Sequence, residues 1–248
     1  MYRKNIARRH KPAQPKRSLM KVFWLCLAAI VTLAAADVLR YAVWPDVDDL
    51  VTAQPQTTAL IEQRRGEAED VGKTFRVRRT WVPLKRISPH LIRAVTIAED
   101  DKFWGHEGFD VDGMEDALRR NLEKGRLAAG GSTITQQLAK NLYLGTERSL
   151  SRKLKEAILA VRLEDALSKR RIIELYLNVV EWGDGIFGAE EAARAHFGVA
   201  AANLSPEQSA RLAAVLPNPR KWSARNPPRH IRQKTAIILS RMERRGLI

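Results

Sequence analysis

The chain has 248 residues, a formal net charge of +15 at pH 7, one cysteine and five histidines. A single cysteine excludes an intramolecular disulfide, and the histidines show no metal-ligand spacing, so redox chemistry and zinc-type catalysis are not expected. No nucleic-acid partner is expected either, because neither basic end carries a nucleic-acid-binding motif and anionic lipid headgroups and an anionic ligand are sufficient partners for the charge.

The N-terminus joins a basic segment to an apolar one. Residues 1–18 form a basic tail, and residues 19–44 are apolar and long enough for one bilayer crossing of about twenty residues. The excess of Lys and Arg before the apolar segment predicts that the N-terminus stays in the cytoplasm. Asp37 and Arg40, one turn apart, can pair near the outer interface, which favours a retained anchor. A cleaved signal peptide is the alternative, because Ala34-Ala35-Ala36 resembles a cleavage site.

Beyond the apolar segment, the sequence divides into a linker and one medium-sized domain. Residues 45–80 are assigned to a linker and membrane-proximal segment, with one short strand at 73–82. In residues 81–248 the apolar positions recur with helical periodicity. The predicted helices are 88–99, about 114–124, 133–144, 150–167, 169–179, 189–197, 206–216 and 229–245. This pattern predicts an all-α, mainly helical domain with one N-terminal transmembrane helix.

The helix at 88–99 ends in a carboxylate. Ser88 is its predicted N-cap and Pro89 its first residue, and Glu99 follows Val95 by one turn on the apolar stripe. A carboxylate directed towards a core loses hydration, which raises its proton affinity towards the range of a general base near neutral pH. The alternative is a buried glutamate that is simply paired with an Arg or Lys.

A second acid lies on the helix at 150–167. Arg152 and Glu156 are spaced i and i+4 on one face, together with Leu159 and Leu163, while Leu150 lies on the opposite apolar face. A helix that is apolar on both sides is surrounded by protein or faces an apolar cleft, so Glu156 is not expected to be a solvated charge. An ordinary surface salt bridge is the alternative.

Between the two acids, a glycine pair precedes a helix start. Thr133 and Gln136 fit a capping box, and Thr133, Gln137 and Lys140 share one helical face. Free N–H groups and the partial positive charge of the helix N-terminus indicate a site for an oxyanion, most naturally a phosphate. The segment is not a Walker loop, because no Gly-Lys-Ser/Thr follows at the required spacing.

Together these segments resemble the glycosyltransferase 51 family of peptidoglycan polymerases, and specifically its monofunctional biosynthetic transglycosylases. The resemblance extends over about residues 81–226, with the signature blocks in family order. The matching blocks are Trp81 to Leu84, Glu99-Asp100 with Phe103, His106 and Gly108, Gly130 to Asn141, Arg148-Ser149 with Arg152-Lys153 and Glu156, Ile173 to Asn178, Gly185 to Glu190, and Leu216 to Pro219.

The resemblance implies a role for each matching residue. Glu99 corresponds to the general base, and Glu156 to a second catalytic-site glutamate near the donor diphosphate. The remaining site residues fall into three groups: Lys140, Arg152 and Lys153 as cations that hold the diphosphate, with Ser132, Thr133 and Gln137 as neutral partners; Asp100, Phe103 and His106 as residues that shape the cleft; and Asn141 and Arg148 as supports.

The resemblance also implies the reaction. A peptidoglycan glycosyltransferase with a lysozyme-like fold polymerises lipid II into β-1,4-linked strands, with inversion and release of polyprenyl diphosphate. Lipid II and the growing lipid-linked strand are the substrates, and cell-division or elongation proteins are candidate partners. No cofactor is required; Mg²⁺ is held as optional, because Asp101, Asp110 and Asp112 form no recognisable coordination loop.

The family also implies a location and a limit on activity. The protein is expected in the bacterial inner membrane as a single-pass protein, with residues 81–248 as a periplasmic catalytic domain. Because the sequence ends at Ile248 without a Ser-x-x-Lys transpeptidase motif, it is expected to polymerise glycan without cross-linking peptides.

Two other functions compete with synthesis. A glycan-cleaving enzyme also uses a glutamate, but that function gives no reason for the glycine-rich helix start or for Lys140 and Arg152. A catalytically silent scaffold of the cell-wall machinery is the third interpretation, and the presence of both Glu99 and Glu156 argues against it.

Overall fold

The computed structural model describes residues 16–123, 131–147 and 149–248; residues 1–15 of the predicted tail and Arg148 lie outside them. The described residues are mainly helical, as the sequence predicts. Their α-helices are α1 Lys16–Leu39, α2 Ala59–Glu69, α3 Pro89–Glu99, α4 Val111–Glu123, α5 Ile134–Ala139, α6 Leu150–Ala166, α7 Lys169–Val179, α8 Ala189–Phe197, α9 Pro206–Val215 and α10 Arg229–Arg244.

Three short strands form one small sheet. They are β1 Arg78–Arg79, β2 Glu181–Gly183 and β3 Ile186–Phe187, in the order β1-β3-β2. β1 pairs with β3 in parallel, and β2 pairs with β3 antiparallel. The predicted strand at 73–82 is therefore wrong in extent, and β2 and β3 were not predicted. Strands of two or three residues are too short for apolar alternation to reveal them.

Local capping explains why several helices begin where the sequence predicts. The Ser88 hydroxyl accepts a hydrogen bond from the His90 N–H at the start of α3. Thr133 and Gln136 form the predicted capping box at the start of α5. The predicted helix at 133–144 is interrupted, however: α5 ends at Ala139, and a π-helical turn follows over Lys140–Leu144. π-helical turns of this kind are frequent at functional sites.

The core is built around two helices, α5 and α7, whose apolar residues are buried. In α5, Ile134 and Leu138 have no exposed surface, and in α7 the same holds for Leu175, Tyr176 and Leu177. α5 packs on α6 and α7, whereas α3 packs on α9 and α10. The last residues of α3 and the start of α5 therefore meet at one place beside this core.

The N-terminal helix has the properties of a membrane anchor and is joined to α6. Met20–Ala42 is long and apolar enough to cross a membrane, and its helix is not buried against the rest of the protein. The predicted pair of Asp37 and Arg40 is present at 3.0 Å. Lys155 on α6 also contacts Asp37, at 2.5 Å, and Arg162 donates to the Tyr41 carbonyl. The anchor thus ends on the helix that carries Glu156.

Candidate active site

Glu99 is the last residue of α3, and its side chain is only 12% exposed. Its Oε2 accepts a hydrogen bond from Gln137 Nε2 at 3.1 Å. Its Oε1 lies 3.6 Å from the ammonium of Lys234 on α10. Burial raises the pKa of Glu99, and the nearby charge of Lys234 and the hydrogen bond from Gln137 oppose that effect. The alternative prediction, a buried glutamate paired with a lysine, is therefore met only in part, because the Glu99 carboxylate and the Lys234 ammonium are 3.6 Å apart.

A buried tyrosine fixes the amide that contacts Glu99. The Tyr176 hydroxyl donates to Gln137 Oε1 at 2.9 Å, which leaves the Nε2 end of the amide to face the carboxylate. Burial, together with Glu99 and Asp100, raises the pKa of Tyr176 well above its ordinary value. The hydroxyl therefore remains a donor at neutral pH, and the geometry of the Glu99–Gln137 contact is defined.

Asp100 occupies the helix start that the sequence assigned to an external anion. Its Oδ2 accepts from the Ile134 N–H at 2.9 Å, and His106 Nε2 lies 2.9 Å from its Oδ1. A carboxylate of the protein itself thus lies at the N-terminus of α5 and balances its partial positive charge. The Ile134 N–H is therefore not free to bind an external anion, which removes one of the groups on which the predicted phosphate site depended.

The remaining cleft-shaping and supporting residues are also engaged with the protein. Thr133 is buried, and its hydroxyl donates to the Gly108 carbonyl at 2.7 Å. Phe103 is fully buried beneath the ammonium of Lys169, 4.7 Å from the ring centre. Asn141 is buried in the π-helical turn. Thr133 thus has a structural role, and its predicted contact with a diphosphate loses support.

Glu156 lies in a second, cationic group of side chains. Its side chain is 3% exposed; Arg152 Nη1 lies 2.5 Å from Oε2, and Lys153 forms an ion pair with Oε1. Lys153 also donates to Ser132 Oγ at 2.9 Å. The interpretation of Arg152 and Glu156 as a surface salt bridge is wrong, because the carboxylate is buried. Arg152, Lys153, Glu156 and Ser132 are brought together, as the sequence predicts.

The two apolar faces of α6 differ in their exposure to solvent, which the sequence does not predict. Leu159 and Leu163, on the Glu156 side, are fully buried, whereas Leu150 is 78% exposed and Leu154 is 50% exposed. Of the two predicted alternatives, a helix surrounded by protein is therefore wrong for the Leu150 side. That face is apolar but faces outwards, on the helix to which the anchor is joined.

Lys140 connects the two acidic residues. It is half-buried at the start of the π-helical turn. Burial lowers the pKa of Lys140; the charges of Glu156 and Glu99 oppose that effect, whereas the charge of Arg152 adds to it. The Lys140 ammonium is therefore close enough to be affected by the charges of both carboxylates and of the Arg152 guanidinium.

A polar cleft opens beside Glu99. It has a volume of ≈ 220 Å³, and its lining includes Glu99, Ser132 and Arg241. Ser132 also accepts a hydrogen bond from Lys153, so one lining residue contacts a cation on α6. Of the predicted diphosphate-binding residues, Ser132 and Thr133 line this cleft together with Glu99, whereas its lining does not include Lys140, Arg152 or Lys153.

The C-terminal helix contributes residues that sequence reasoning missed. Lys234 approaches Glu99, and Arg241 and Arg245 both bind Asp101, with the closest contacts at 2.7 Å. From the sequence alone, the basic character of this helix is related to lipid headgroups and to the substrate diphosphate, not to contacts with Glu99 or Asp101. The only signal of these contacts in the sequence was the positive charge of α10, because no local pattern relates that helix to the end of α3.

The three aspartates weighed as metal ligands are paired with cations of the protein. Asp101 is bound by two arginines, whereas Asp110 and Asp112 share Lys102, at 3.8 Å and 2.6 Å. Within residues 16–123, 131–147 and 149–248, no three His, Cys, Asp or Glu side chains are grouped as ligands. These aspartates do not fit a divalent-cation site.

The sequence is similar to known transglycosylases. A sequence model of the family described as Transglycosylase matches residues 67–243. The chain is 50% identical over 212 residues to the biosynthetic peptidoglycan transglycosylase of Azoarcus sp. (strain BH72), a match that covers 85% of this chain and 92% of the relative. The protein of that name from Nitrosomonas eutropha is 42% identical over 239 residues, covering 96% and 97%. The family match includes Glu99, Glu156 and Lys234.

Proposed function

The chain belongs to the transglycosylase family and is a peptidoglycan glycosyltransferase, and we propose that it polymerises lipid II into β-1,4-linked glycan strands with inversion. The donor is a growing strand linked through a diphosphate to a polyprenyl lipid. The acceptor is lipid II, which attacks through its sugar 4-hydroxyl. Each cycle lengthens the strand and releases one polyprenyl diphosphate.

Glu99 is the general base of this proposal. As the acceptor oxygen forms its bond to the anomeric carbon, the O–H bond breaks and the proton passes to the carboxylate. A base performs this step best when its pKa lies near the working pH. The raised pKa of Glu99, caused by burial, supports this assignment.

The cations on α6 and the π-helical turn receive the leaving group. The bond between the anomeric carbon and the diphosphate oxygen breaks with its electron pair on the diphosphate, which gains negative charge. Lys140, Arg152 and Lys153 offer three cations around one carboxylate, Glu156, so positive charge remains for that anion. Fixed charges aimed at developing charge are an effective means of catalysis.

One observation carries the proposal: the buried Glu99 carboxylate lines a cleft with Ser132, and Ser132 contacts Lys153, which with Arg152 is paired to Glu156. Inverting transfer needs a base on one side of the reacting carbon and a cation for the leaving group on the other. Ser132 and Gln137 add neutral groups, in contact with Lys153 and with Glu99 respectively.

We also propose where the reaction takes place. The apolar helix over Met20–Ala42 supports a single crossing of the bacterial inner membrane, with the basic N-terminus in the cytoplasm and the domain in the periplasm. The ion pair between Lys155 and Asp37 would hold the cleft near the membrane surface, where a lipid-linked substrate is presented. No cofactor is needed, because the donor carries its own leaving group.

The test is polymerisation of labelled lipid II by the full chain and by Glu99→Gln. We expect the wild-type protein to form long products that lysozyme digests, and Glu99→Gln to bind lipid II without forming them. Glu69→Gln, at an exposed position, is the matched control and should keep wild-type activity. Measurable turnover by Glu99→Gln would contradict the base assignment.

The same assay separates synthesis from glycan cleavage. A glycan-cleaving enzyme would use Glu99 to protonate a glycosidic oxygen, and a raised pKa suits that role as well. It would shorten a preformed strand and leave lipid II unchanged. Growth of products from lipid II alone therefore decides for synthesis.

A further inference from the structure

A cation from the C-terminal helix faces Glu99, although the reaction described above does not use it. Lys234 Nζ lies 3.6 Å from Glu99 Oε1. It is the one cation of the described residues at ion-pair distance from this carboxylate. The predicted diphosphate ligands come from α6 and from the turn after α5, so Lys234 approaches Glu99 from a different element.

The two oxygens of Glu99 have different surroundings. Oε2 accepts the hydrogen bond from Gln137, whose orientation is fixed by Tyr176. Oε1 accepts no hydrogen bond from the residues that the structure describes, because 3.6 Å is too long for one. Lys234 therefore acts on Oε1 through its charge, and the lone pairs of Oε1 remain free to accept a proton.

The position of Lys234 is set by helix packing. Ile231 and Ile238 on α10 are buried, and Lys234 lies three residues after the first and four before the second, on the same side of the helix. Its side chain is 33% exposed. The stem thus lies along the edge of the core and directs the ammonium towards the end of α3.

We propose that Lys234 is a positioning residue for the base, whose charge keeps the Glu99 carboxylate ionised, with Oε1 directed into the cleft, until the acceptor hydroxyl arrives. The inference rests on the proposed role of Glu99. An opposite charge close to a buried carboxylate favours the ionised form, which burial alone disfavours. The other charged or titratable groups around Glu99 are Lys140 on the π-helical turn, Tyr176 on α7, Arg241 on α10, and Asp100 and Asp101 after α3.

The experiment compares the pH profiles of kcat/KM for the wild-type chain, Lys234→Met and Lys234→Arg. Without the ammonium, the acidic limb should move to higher pH. At about pH 6 Lys234→Met should lose about tenfold more activity than at about pH 8.5, and Lys234→Arg should restore the wild-type profile. Lys221→Met removes an exposed lysine and should leave the profile unchanged. A uniform loss at every pH would indicate a structural role and overturn the inference.

A second readout does not depend on turnover. The ionisation of Glu99 can be followed by carbon-13 NMR in the full chain labelled at glutamate carboxyls, with Glu99→Gln to assign the signal. The titration midpoint of Glu99 should be higher in Lys234→Met than in the wild type. An unchanged midpoint in a folded variant would overturn the inference.

Glu99→Gln also separates the two claims. If this variant polymerises lipid II, the proposed function of Glu99 fails. If it is inactive while Lys234→Met follows the wild-type pH profile, the base assignment stands and only the inference about Lys234 fails.

Discussion

Tyr176 donates its hydroxyl to Gln137 Oε1 over 2.9 Å, and this bond determines which end of the amide faces Glu99. If the amide were reversed, Gln137 Oε1 would face Glu99 Oε2, and two hydrogen-bond acceptors would be in contact. Tyr176 itself is fully buried, so water cannot replace the hydroxyl. The orientation of the proposed base therefore depends on a residue that does not contact it.

Tyr176→Phe should lower polymerisation by about tenfold, because small displacements of a reacting group are costly. The change also leaves Gln137 Oε1 without its donor, which should destabilise the fold by about 1–3 kcal/mol. Initial rates with lipid II and thermal unfolding measure the two effects. Tyr143→Phe, at a half-buried position on the π-helical turn, is the control, and equal losses in both variants would contradict the role of Tyr176.

Arg152→Ala should weaken use of the donor. The guanidinium is 17% exposed and contacts Glu156, so its loss removes a cation from the leaving-group site and leaves Glu156 with Lys153. We expect kcat/KM to fall about 10²-fold, in line with other losses of a group that stabilises transition-state charge. The measurement is polymerisation with varied donor.

The control for Arg152→Ala is Lys85→Ala, which removes an exposed lysine. It should change kcat/KM by less than about twofold, because isolated surface charges contribute little. Lys140→Ala should resemble Arg152→Ala. If all three variants lost activity equally, the diphosphate site would have to be abandoned.

Features that depend on neighbouring residues were predictable from the sequence. The Ser88 cap and the capping box of Thr133 and Gln136 are formed by residues a few positions apart, so their spacing is visible in the chain. The same is true of Arg152 and Glu156, one turn apart on α6. The resemblance to the family added the expected roles of the site residues, and the structure places Glu99, Ser132 and Thr133 along one cleft.

Features that depend on distant segments were not predictable. Asp100 binds the Ile134 N–H, and Lys234 faces Glu99, only because tertiary packing brings α3, α5 and α10 together. A helical wheel also could not tell which apolar face of α6 is buried, since Leu150 and Leu159 are equally apolar while only Leu159 is enclosed. The helices that pack against α6 determine which of its faces is buried.

Asp100→Ala should destabilise the protein. The carboxylate is buried, accepts from the Ile134 N–H and contacts His106. Loss of a cap and of a buried acceptor should cost about 2 kcal/mol. Activity should fall with stability, and the acidic limb of the pH profile should not move to higher pH, because Asp100 does not take the proton and the loss of a neighbouring negative charge cannot raise the pKa of Glu99. Chemical denaturation and the pH profile test both points; a limb shifted to higher pH would contradict them.

Glu99→Gln should make the fold more stable at neutral pH while abolishing polymerisation. Burial raises the pKa of Glu99 above its ordinary value of 4.5, so the folded protein holds this proton more tightly than the unfolded chain. Such a group stabilises the fold fully below the unfolded pKa, and its contribution is lost as the pH rises through the folded pKa. The advantage of Glu99→Gln should therefore grow as the pH rises above 4.5.

Thermal unfolding of both proteins in the same detergent, over a series of pH values, measures this dependence. Glu69→Gln is the matched control for the change in charge at an exposed position. If the wild type instead gained stability over Glu99→Gln with rising pH, then Lys234 and Gln137 would outweigh the burial of the carboxylate. Glu99 would then be a structural ion-pair partner, held in its charged form at a cost to its strength as a base.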